Sequence, residues 1–263
     1  MKRFCLLLLV LMAFTASAQN AIPPMLQGVD IEQRLNSQVP LDLEFVNETG
    51  KTIVLNDLMN GKPVILTLVY YECPMLCTQV LNGLISSLKP LTFTPGNEFN
   101  IITVSFDPGE TPALAVKKKA VYLKEYGRPK VGKGWHFLTG KEKSIAKLTE
   151  SVGFQYQYDA KIDQYAHGSA IMILTPKGKV SRYFYGIEYS SRDLRFALVE
   201  SSDNKIGTIA DKILLYCFHY DPSQGKYSAT AMNLIRLGGV ITVLCLGAFI
   251  LNMRRKDRAS IHV

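Results

Sequence analysis

The sequence predicts an α/β fold in which helices flank a mixed sheet. Residues 64–70 and 100–106 are near-continuous apolar runs, which are typical of strands buried on both faces. Strands alternate with helices along the chain, and two antiparallel pairs accompany them, which predicts a mixed strand order. Cys73 and Cys77 follow the first buried strand at its turn into a helix. A cysteine pair in this place is typical of the thioredoxin-like architecture, so we predict a thioredoxin-like domain.

The first half of this domain is predicted from alternation, turn residues and helical spacing. Residues 41–46 alternate apolar and polar side chains, and the Asn47-Glu48-Thr49-Gly50 turn leads into residues 52–55, which predicts an N-terminal β-hairpin. After the first buried strand, Cys73-Pro74 is expected to open a helix. Proline is tolerated in a first turn, and the following apolar residues recur at helical spacing.

The second half continues the alternation of strands and helices. Apolar and β-branched runs predict its strands, helical spacing predicts its helices, and a Pro176-Lys177-Gly178 turn joins its last two strands. The predicted elements are a strand over 100–106, a helix over 113–125, a strand over 135–138, a helix over 141–152, a strand hairpin over 169–175 and 179–185, and a helix over 191–200.

The two ends of the chain carry signals for export and for membrane insertion. Residues 1–18 combine a basic start, an apolar run and the small residues Ala16-Ser17-Ala18, which is the pattern of a secretory signal peptide. Residues 229–253 have Arg236 as their single charged residue and are long enough for a transmembrane helix. The basic segment from Arg254 onward indicates the cytoplasmic side. We expect a single-pass protein of the inner or plasma membrane, with its domain on the periplasmic side.

These signals divide the chain into six segments. They are a signal peptide over 1–18, an extended lead-in over 19–40, a thioredoxin-like domain over 41–205, a juxtamembrane segment over 206–228, a transmembrane helix over 229–253 and a cytoplasmic tail over 254–263. The exported part before the membrane helix has about 210 residues, which is enough for one domain with additions.

The basic composition does not indicate a nucleic-acid partner. Of the formal charge of +8, Lys2 and Arg3 contribute +2 and residues 254–258 a net +3, which leaves +3 for residues 19–253. The cluster Lys117-Lys118-Lys119 is short and falls on a predicted solvated helix face. A nucleic-acid interface would need a basic stripe with interleaved aromatic residues.

Cys73 and Cys77 allow a structural disulfide, a redox pair, a metal site or two inert sulfurs. A structural bridge closing so short a loop restrains little of the unfolded chain, and a helix start is expected to expose the sulfurs. The partial positive charge of a helix N-terminus favours thiolate, which both redox exchange and metal binding require. Three residues separate the cysteines, whereas the usual redox motif has two.

A metal site needs a third ligand, and His167 is the candidate. It is predicted in a loop directly before a strand, and in a thioredoxin-like sheet that loop comes close to the cysteine-bearing helix. Two thiolates and an imidazole form a soft trigonal set suited to copper, whereas zinc usually takes a fourth ligand. Taken alone, a loop histidine is more often a solvated or capping side chain.

Several motifs together carry a resemblance to a known family. They are Gly61-Lys62-Pro63-Val64, Tyr71-Glu72-Cys73-Pro74-Met75-Leu76-Cys77, Val104-Ser105-Phe106-Asp107-Pro108 with Thr111-Pro112, and the late His167. On these motifs, the chain from about Leu41 to Glu200 resembles the Sco/SenC proteins, which are membrane-anchored, thioredoxin-like copper proteins of cytochrome c oxidase assembly. The resemblance implies that Cys73, Cys77 and His167 bind one copper ion, as Cu(I) or Cu(II).

The resemblance also implies partners for copper transfer, and the cysteine pair leaves a second function open. Copper would come from a donor and pass to the binuclear CuA centre of oxidase subunit II, or the same thiols would first reduce the cysteines of that subunit. The alternative reading is a membrane-tethered thiol–disulfide oxidoreductase in which Cys73 attacks and Cys77 resolves. His167 would be dispensable in that case, which separates the two hypotheses.

The chain departs from the pattern of many family members beside the ligands. Met75 and Thr78 stand where many have Asp and Pro, and Ala166 stands where many have Asp before the histidine. These positions are able to tune copper binding through hydrogen bonds. Met75 is expected to pack against the helix rather than to bind copper. The anchor also differs, because typical members are tethered by an N-terminal helix.

Three polar residues outside the ligand set have open roles in the sequence. Asp107 is expected either to accept a hydrogen bond near the metal or to cap the following helix. Cys217 and His219 precede the predicted membrane helix and allow a second copper site or a docking site at the membrane surface. We favour a buried free cysteine and an interfacial histidine for this pair.

Overall fold

The computed structural model describes residues 28–128, 131–206, 220–221, 226–227, 236–248 and 250. The chain divides into two compact units, one formed by Gly28–Ile209 and the other by Met1–Gln27 with Ala210–Val263. The predicted signal peptide, the tail, Cys217 and His219 lie outside the described residues, and what the sequence indicates for them stays a prediction.

The larger unit alternates strands and helices, as the sequence predicts. In chain order its elements are β1 Asp30–Ile31, β2 Glu44–Asn47, β3 Thr52–Val54, α1 Leu55–Met59, β4 Val64–Val69, α2 Leu76–Leu88, β5 Asn100–Ser105, α3 Pro112–Tyr126, a 3₁₀ turn Val131–Lys133, β6 Trp135–Thr139, α4 Glu142–Ser151, β7 Phe154–Asp159, β8 Gln164–His167, β9 Ala170–Leu174, β10 Val180–Tyr185 and α5 Ser191–Ser202. Each strand and helix predicted between residues 41 and 200 is present, with shifted ends.

A seven-stranded mixed sheet forms the centre of this unit. Its order is β10-β9-β4-β5-β6-β2-β3, with β4, β5 and β6 parallel and with β9 and β2 antiparallel to their neighbours β4 and β6. All residues of β4, β5 and β9 are buried, which explains their largely apolar sequences. The buried hydroxyls of Thr67 and Thr103 lie 2.8 Å apart, and Trp135 Nε1 donates to Thr103, so these polar groups are paired.

A second, three-stranded sheet of order β1-β7-β8 was missed at the sequence level. The segment Phe154-Gln155-Tyr156-Gln157-Tyr158 alternates aromatic and polar residues, which is a strand signal. His167 was predicted in a loop, but it is the last residue of β8 and is paired with Tyr156 of β7. The hydrogen-bonded hairpin therefore fixes the backbone that carries this histidine.

The predicted extended lead-in over 19–40 is described from residue 28 onward and is packed against the domain. It contains β1, and Ile31 and Val39 lie in the hydrophobic core. The backbone amide of Val39 donates to the carbonyl of Gly178 at 3.0 Å. These contacts make the second half of the lead-in part of the folded unit.

The smaller unit contains a short hairpin and a helix. Strands β11 Tyr220–Asp221 and β12 Lys226–Tyr227 pair antiparallel, and residues 236–248 and 250 are helical. None of the helices within the described ranges combines the length and the apolar character that a membrane crossing requires. The predicted transmembrane helix over 229–253 extends beyond the described residues at both ends and stays a prediction.

Candidate metal centre

The connection between β4 and α2 brings Cys73 and Cys77 together. The helix begins at Leu76 with Met75 as its N-cap residue, so Cys73 and Pro74 precede it. The prediction that Cys73-Pro74 opens the helix is therefore wrong. The reason is local, because the ring of Pro74 disfavours the helical conformation at the residue before it. Cys73 lies instead in a turn, where its amide donates to the carbonyl of Tyr70 at 3.3 Å.

The two thiols are free, and backbone amides point at both sulfurs. The amide of Cys77 in the first turn of α2 donates to Cys73 Sγ at 3.3 Å, and the amide of Tyr70 donates to Cys77 Sγ at 3.4 Å. Cys73 is 7% and Cys77 3% exposed, so the expectation of exposed sulfurs is wrong. The sequence places the pair at a strand-to-helix turn, but the packing of the turn against the core decides the exposure.

The two sulfurs have opposite protonation tendencies. The hydrogen bond from the Cys77 side chain, aided by His167 and by backbone amides, lowers the pKa of Cys73 to about 3 against the cost of burial. Burial raises the pKa of Cys77, and the neighbouring Cys73 thiolate raises it further. The pair therefore holds one thiolate, Cys73, which accepts a hydrogen bond from one thiol, Cys77.

His167 completes the group from the second sheet. Its Nε2 lies 3.3 Å from Cys77 Sγ, and its Nδ1 lies 2.7 Å from the carbonyl oxygen of Gly168. A carbonyl only accepts, so Nδ1 donates to Gly168, and this bond orients the ring with Nε2 facing the sulfurs. The rings of Tyr70 and Phe106 contact the half-buried imidazole edge-on, with centroids 6.0 and 5.1 Å away.

The donor atoms of Cys73, Cys77 and His167 suit a soft metal ion. They lie within 4.8 Å of one another, which allows a single ion to contact all of them. Two sulfurs and one imidazole nitrogen are the ligands that copper favours, with the thiolates selecting Cu(I). The structure therefore brings together the three site residues that the sequence predicts.

Glu110 is a buried residue of this region that the sequence did not single out. Its carboxylate accepts hydrogen bonds from the amides of Tyr71 and Glu72, each at 2.7 Å, and from Ser105 Oγ at 2.5 Å. Burial raises the pKa of this carboxyl group. Glu110 thus fixes the backbone just before Cys73. The contact with Glu72 spans 38 residues of sequence, so no local sequence pattern predicts it.

Two further residues differ from expectation. Met75 does not pack against the helix, because its side chain is 64% exposed. Asp107 does not cap α3, whose N-cap residue is Thr111; its Oδ1 instead accepts from the amide of Gly109 at 2.8 Å. The cap interpretation of Asp107 is therefore wrong, and the residue shapes the turn after β5.

Comparisons with known proteins agree on one family. The SCO1/SenC family pattern matches residues 31–199, which is more than half of the chain. The chain is 26% identical over 168 residues to the SCO1 protein homolog of Bacillus subtilis strain 168, covering 63% of this chain and 83% of that protein.

Solved structures give the same result. A protein of Aquifex aeolicus VF5 is similar with a TM-score of 0.57 and 28% identity, covering 65% of this chain and 96% of that one. BsSco, described as a member of the Sco family of cytochrome c oxidase assembly proteins, is similar with a TM-score of 0.51 and 25% identity, covering 67% of this chain and 99% of that one. With the family pattern spanning most of the larger unit, the chain belongs to the SCO1/SenC family.

Proposed function

We propose that this chain binds one copper ion through Cys73, Cys77 and His167 and acts in cytochrome c oxidase assembly. The observation that carries the proposal is the convergence of these two sulfurs and one imidazole nitrogen within 4.8 Å. Membership of the SCO1/SenC family and the description of BsSco as an oxidase assembly protein support the biological role.

The protonation pattern suits the capture of Cu(I). Cys73 is already a thiolate and supplies the first strong bond. Cys77 is a thiol, so its proton passes to water when its sulfur joins the metal. His167 is already oriented for binding, because Gly168 holds its Nδ1 and its Nε2 faces the sulfurs. Release follows the reverse order, with an acceptor's thiolates replacing these ligands one at a time.

The proposed setting is the outer face of a membrane. The signal peptide over 1–18 would export the domain, the helix over 229–253 would anchor it, and the tail over 254–263 would remain in the cytoplasm. A copper donor would load the site there. The proposed acceptor is the CuA centre of oxidase subunit II.

The test is oxidase maturation in the native host. We expect Cys73→Ser to lower the CuA content of membrane-extracted oxidase, measured by its electron paramagnetic resonance signal, while subunit II is still synthesised. Cys245→Ser is the matched control, because Cys245 is a free, exposed cysteine of the C-terminal helix. Full CuA content in Cys73→Ser would contradict the proposal.

The second candidate function is thiol–disulfide exchange, which the unequal thiols favour. The Cys73 thiolate would attack an acceptor disulfide, and Cys77 would resolve the mixed disulfide. The acceptor would gain two thiols while Cys73 and Cys77 become a disulfide, so the electrons balance. A disulfide switch is described for BsSco. His167→Ala that retains reduction of oxidised subunit II but loses copper binding would separate the two functions.

A further inference from the structure

The proposed copper site has an exposed methionine between its two buried cysteines in the sequence. Cys73 and Cys77 are 7% and 3% exposed, whereas Met75 between them is 64% exposed. Among the described residues of Gly28–Ile209, Met75 is the most exposed large hydrophobic side chain, ahead of Val121 at 60%. The Met75 side chain is therefore more accessible to an incoming copper donor than either cysteine.

The local backbone explains why this side chain stays in solvent. Met75 is the N-cap residue of α2 with φ −142° and ψ −71°, outside the helical region, and its carbonyl accepts from the amide of Gln79 at 3.1 Å. Its neighbour Leu76 packs against the core, but Met75 does not. Burial of a methionine side chain stabilises a fold, so this position forgoes a stabilising contact.

The chemistry of the exposed group matches the cargo. A thioether is a soft, neutral ligand that binds Cu(I) and, unlike a thiolate, holds it weakly enough to release it. Methionine is a flexible side chain with three rotatable bonds, and Met75 is two residues from each cysteine. An exposed leucine would offer a partner the same apolar surface without a metal-binding atom.

We infer that Met75 is a transfer ligand, which takes Cu(I) from a donor and passes it inward to Cys73 and Cys77. This inference rests on the proposed function. In the first step a bond from Cu(I) to a ligand atom of the donor breaks as the bond to the Met75 thioether forms. In the second step the Cys73 thiolate displaces the thioether, and Cys77 and His167 complete the site. Copper stays Cu(I) throughout, and the Cys77 proton passes to water.

The test follows copper transfer to the reduced full-length chain by stopped flow. Cu(I) is supplied as its bicinchoninate complex, whose visible absorption falls as the protein takes the metal, and the reverse transfer is measured with excess bicinchoninate. Met75→Leu keeps the apolar side chain and removes the metal-binding sulfur. Met59→Leu is the matched control, because it removes a thioether that is 3% exposed in α1.

We expect Met75→Leu to slow both uptake and release about tenfold, which is about 1.4 kcal/mol in each barrier, with the equilibrium affinity unchanged. Met59→Leu should leave both rates as in the wild type. Unchanged rates in Met75→Leu would overturn the inference. A weakened affinity with faster release would also overturn it, because Met75 would then be a resident ligand. Failure of the wild-type chain to take copper would instead overturn the proposed function.

Discussion

The Nε2 atom of His167 lies 3.3 Å from the Sγ atom of Cys77, although 90 residues separate them in the sequence. The contact joins the two sheets of the larger unit, because Cys77 follows β4 of the seven-stranded sheet and His167 ends β8 of the smaller one. The bond between His167 Nδ1 and Gly168 sets the tautomer that such a contact needs. The site therefore depends on the β7–β8 hairpin as much as on helix α2.

The protonation of Cys73 predicts an unusual pH dependence of its alkylation. Because its pKa is about 3, the thiolate is present throughout the neutral and mildly acidic range. We expect the iodoacetamide rate of the copper-free protein to stay constant between about pH 5 and 8, whereas an ordinary cysteine slows about tenfold per unit below its pKa of about 8.5. Mass spectrometry locates the modified residue. A tenfold fall per unit at Cys73 would contradict this protonation pattern.

Glu110 is predicted to stabilise the turn that carries Cys73. Glu110→Gln places an amide group against the backbone N–H of Tyr71 or Glu72, so one buried donor loses its acceptor. We expect the free energy of unfolding to fall by about 1–3 kcal/mol, measured by urea denaturation of the copper-free protein. Ser105→Ala is the control that removes the hydrogen bond to Glu110 and the one from the amide of Asp107, but leaves the contacts of Glu110 with the amides of Tyr71 and Glu72 intact. Equal stability of Glu110→Gln and the wild type would refute the role.

Gly83 sets the closest approach of helix α2 to the segment after β10. A Cβ atom at this position would lie 1.8 Å from the carbonyl oxygen of Ile187, so Gly83→Ala must move the helix or that segment. We expect a loss of about 1–3 kcal/mol in thermal or urea unfolding, together with weaker copper binding because α2 carries Cys77. Ser86→Ala, on an exposed face of the same helix, should leave both quantities near wild type. If Gly83→Ala were as stable as the wild type, the segment after β10 would move without a cost in stability, and the prediction would be contradicted.

Local sequence patterns predict the fold well where a single strand or helix determines the pattern. The apolar runs of β4 and β5 are buried on both faces, and this burial produces the runs themselves. The three-residue cysteine spacing and the resemblance were sufficient to select His167. The predicted start of α2 is wrong because Pro74, although tolerated in a first turn itself, disfavours the helical conformation at Cys73.

The remaining features depend on contacts between distant residues. Glu110 accepts from the amides before Cys73, and a buried carboxylate with backbone partners leaves no spacing signal. The exposure of Met75 follows from its backbone angles, which its residue type does not determine. The β7–β8 hairpin was predictable from the alternation around Tyr156, but its pairing with β1 was not.

The most direct measurement is a copper titration of the purified full-length chain and of His167→Ala, with the cupric form followed by its sulfur-to-copper absorption. Cys245→Ser serves as the control for cysteine content. The account predicts one copper ion per wild-type chain with a sulfur-to-copper band, the same result for Cys245→Ser, and loss of the band with weaker binding in His167→Ala. Full retention of the band and the affinity in His167→Ala would contradict the three-ligand site.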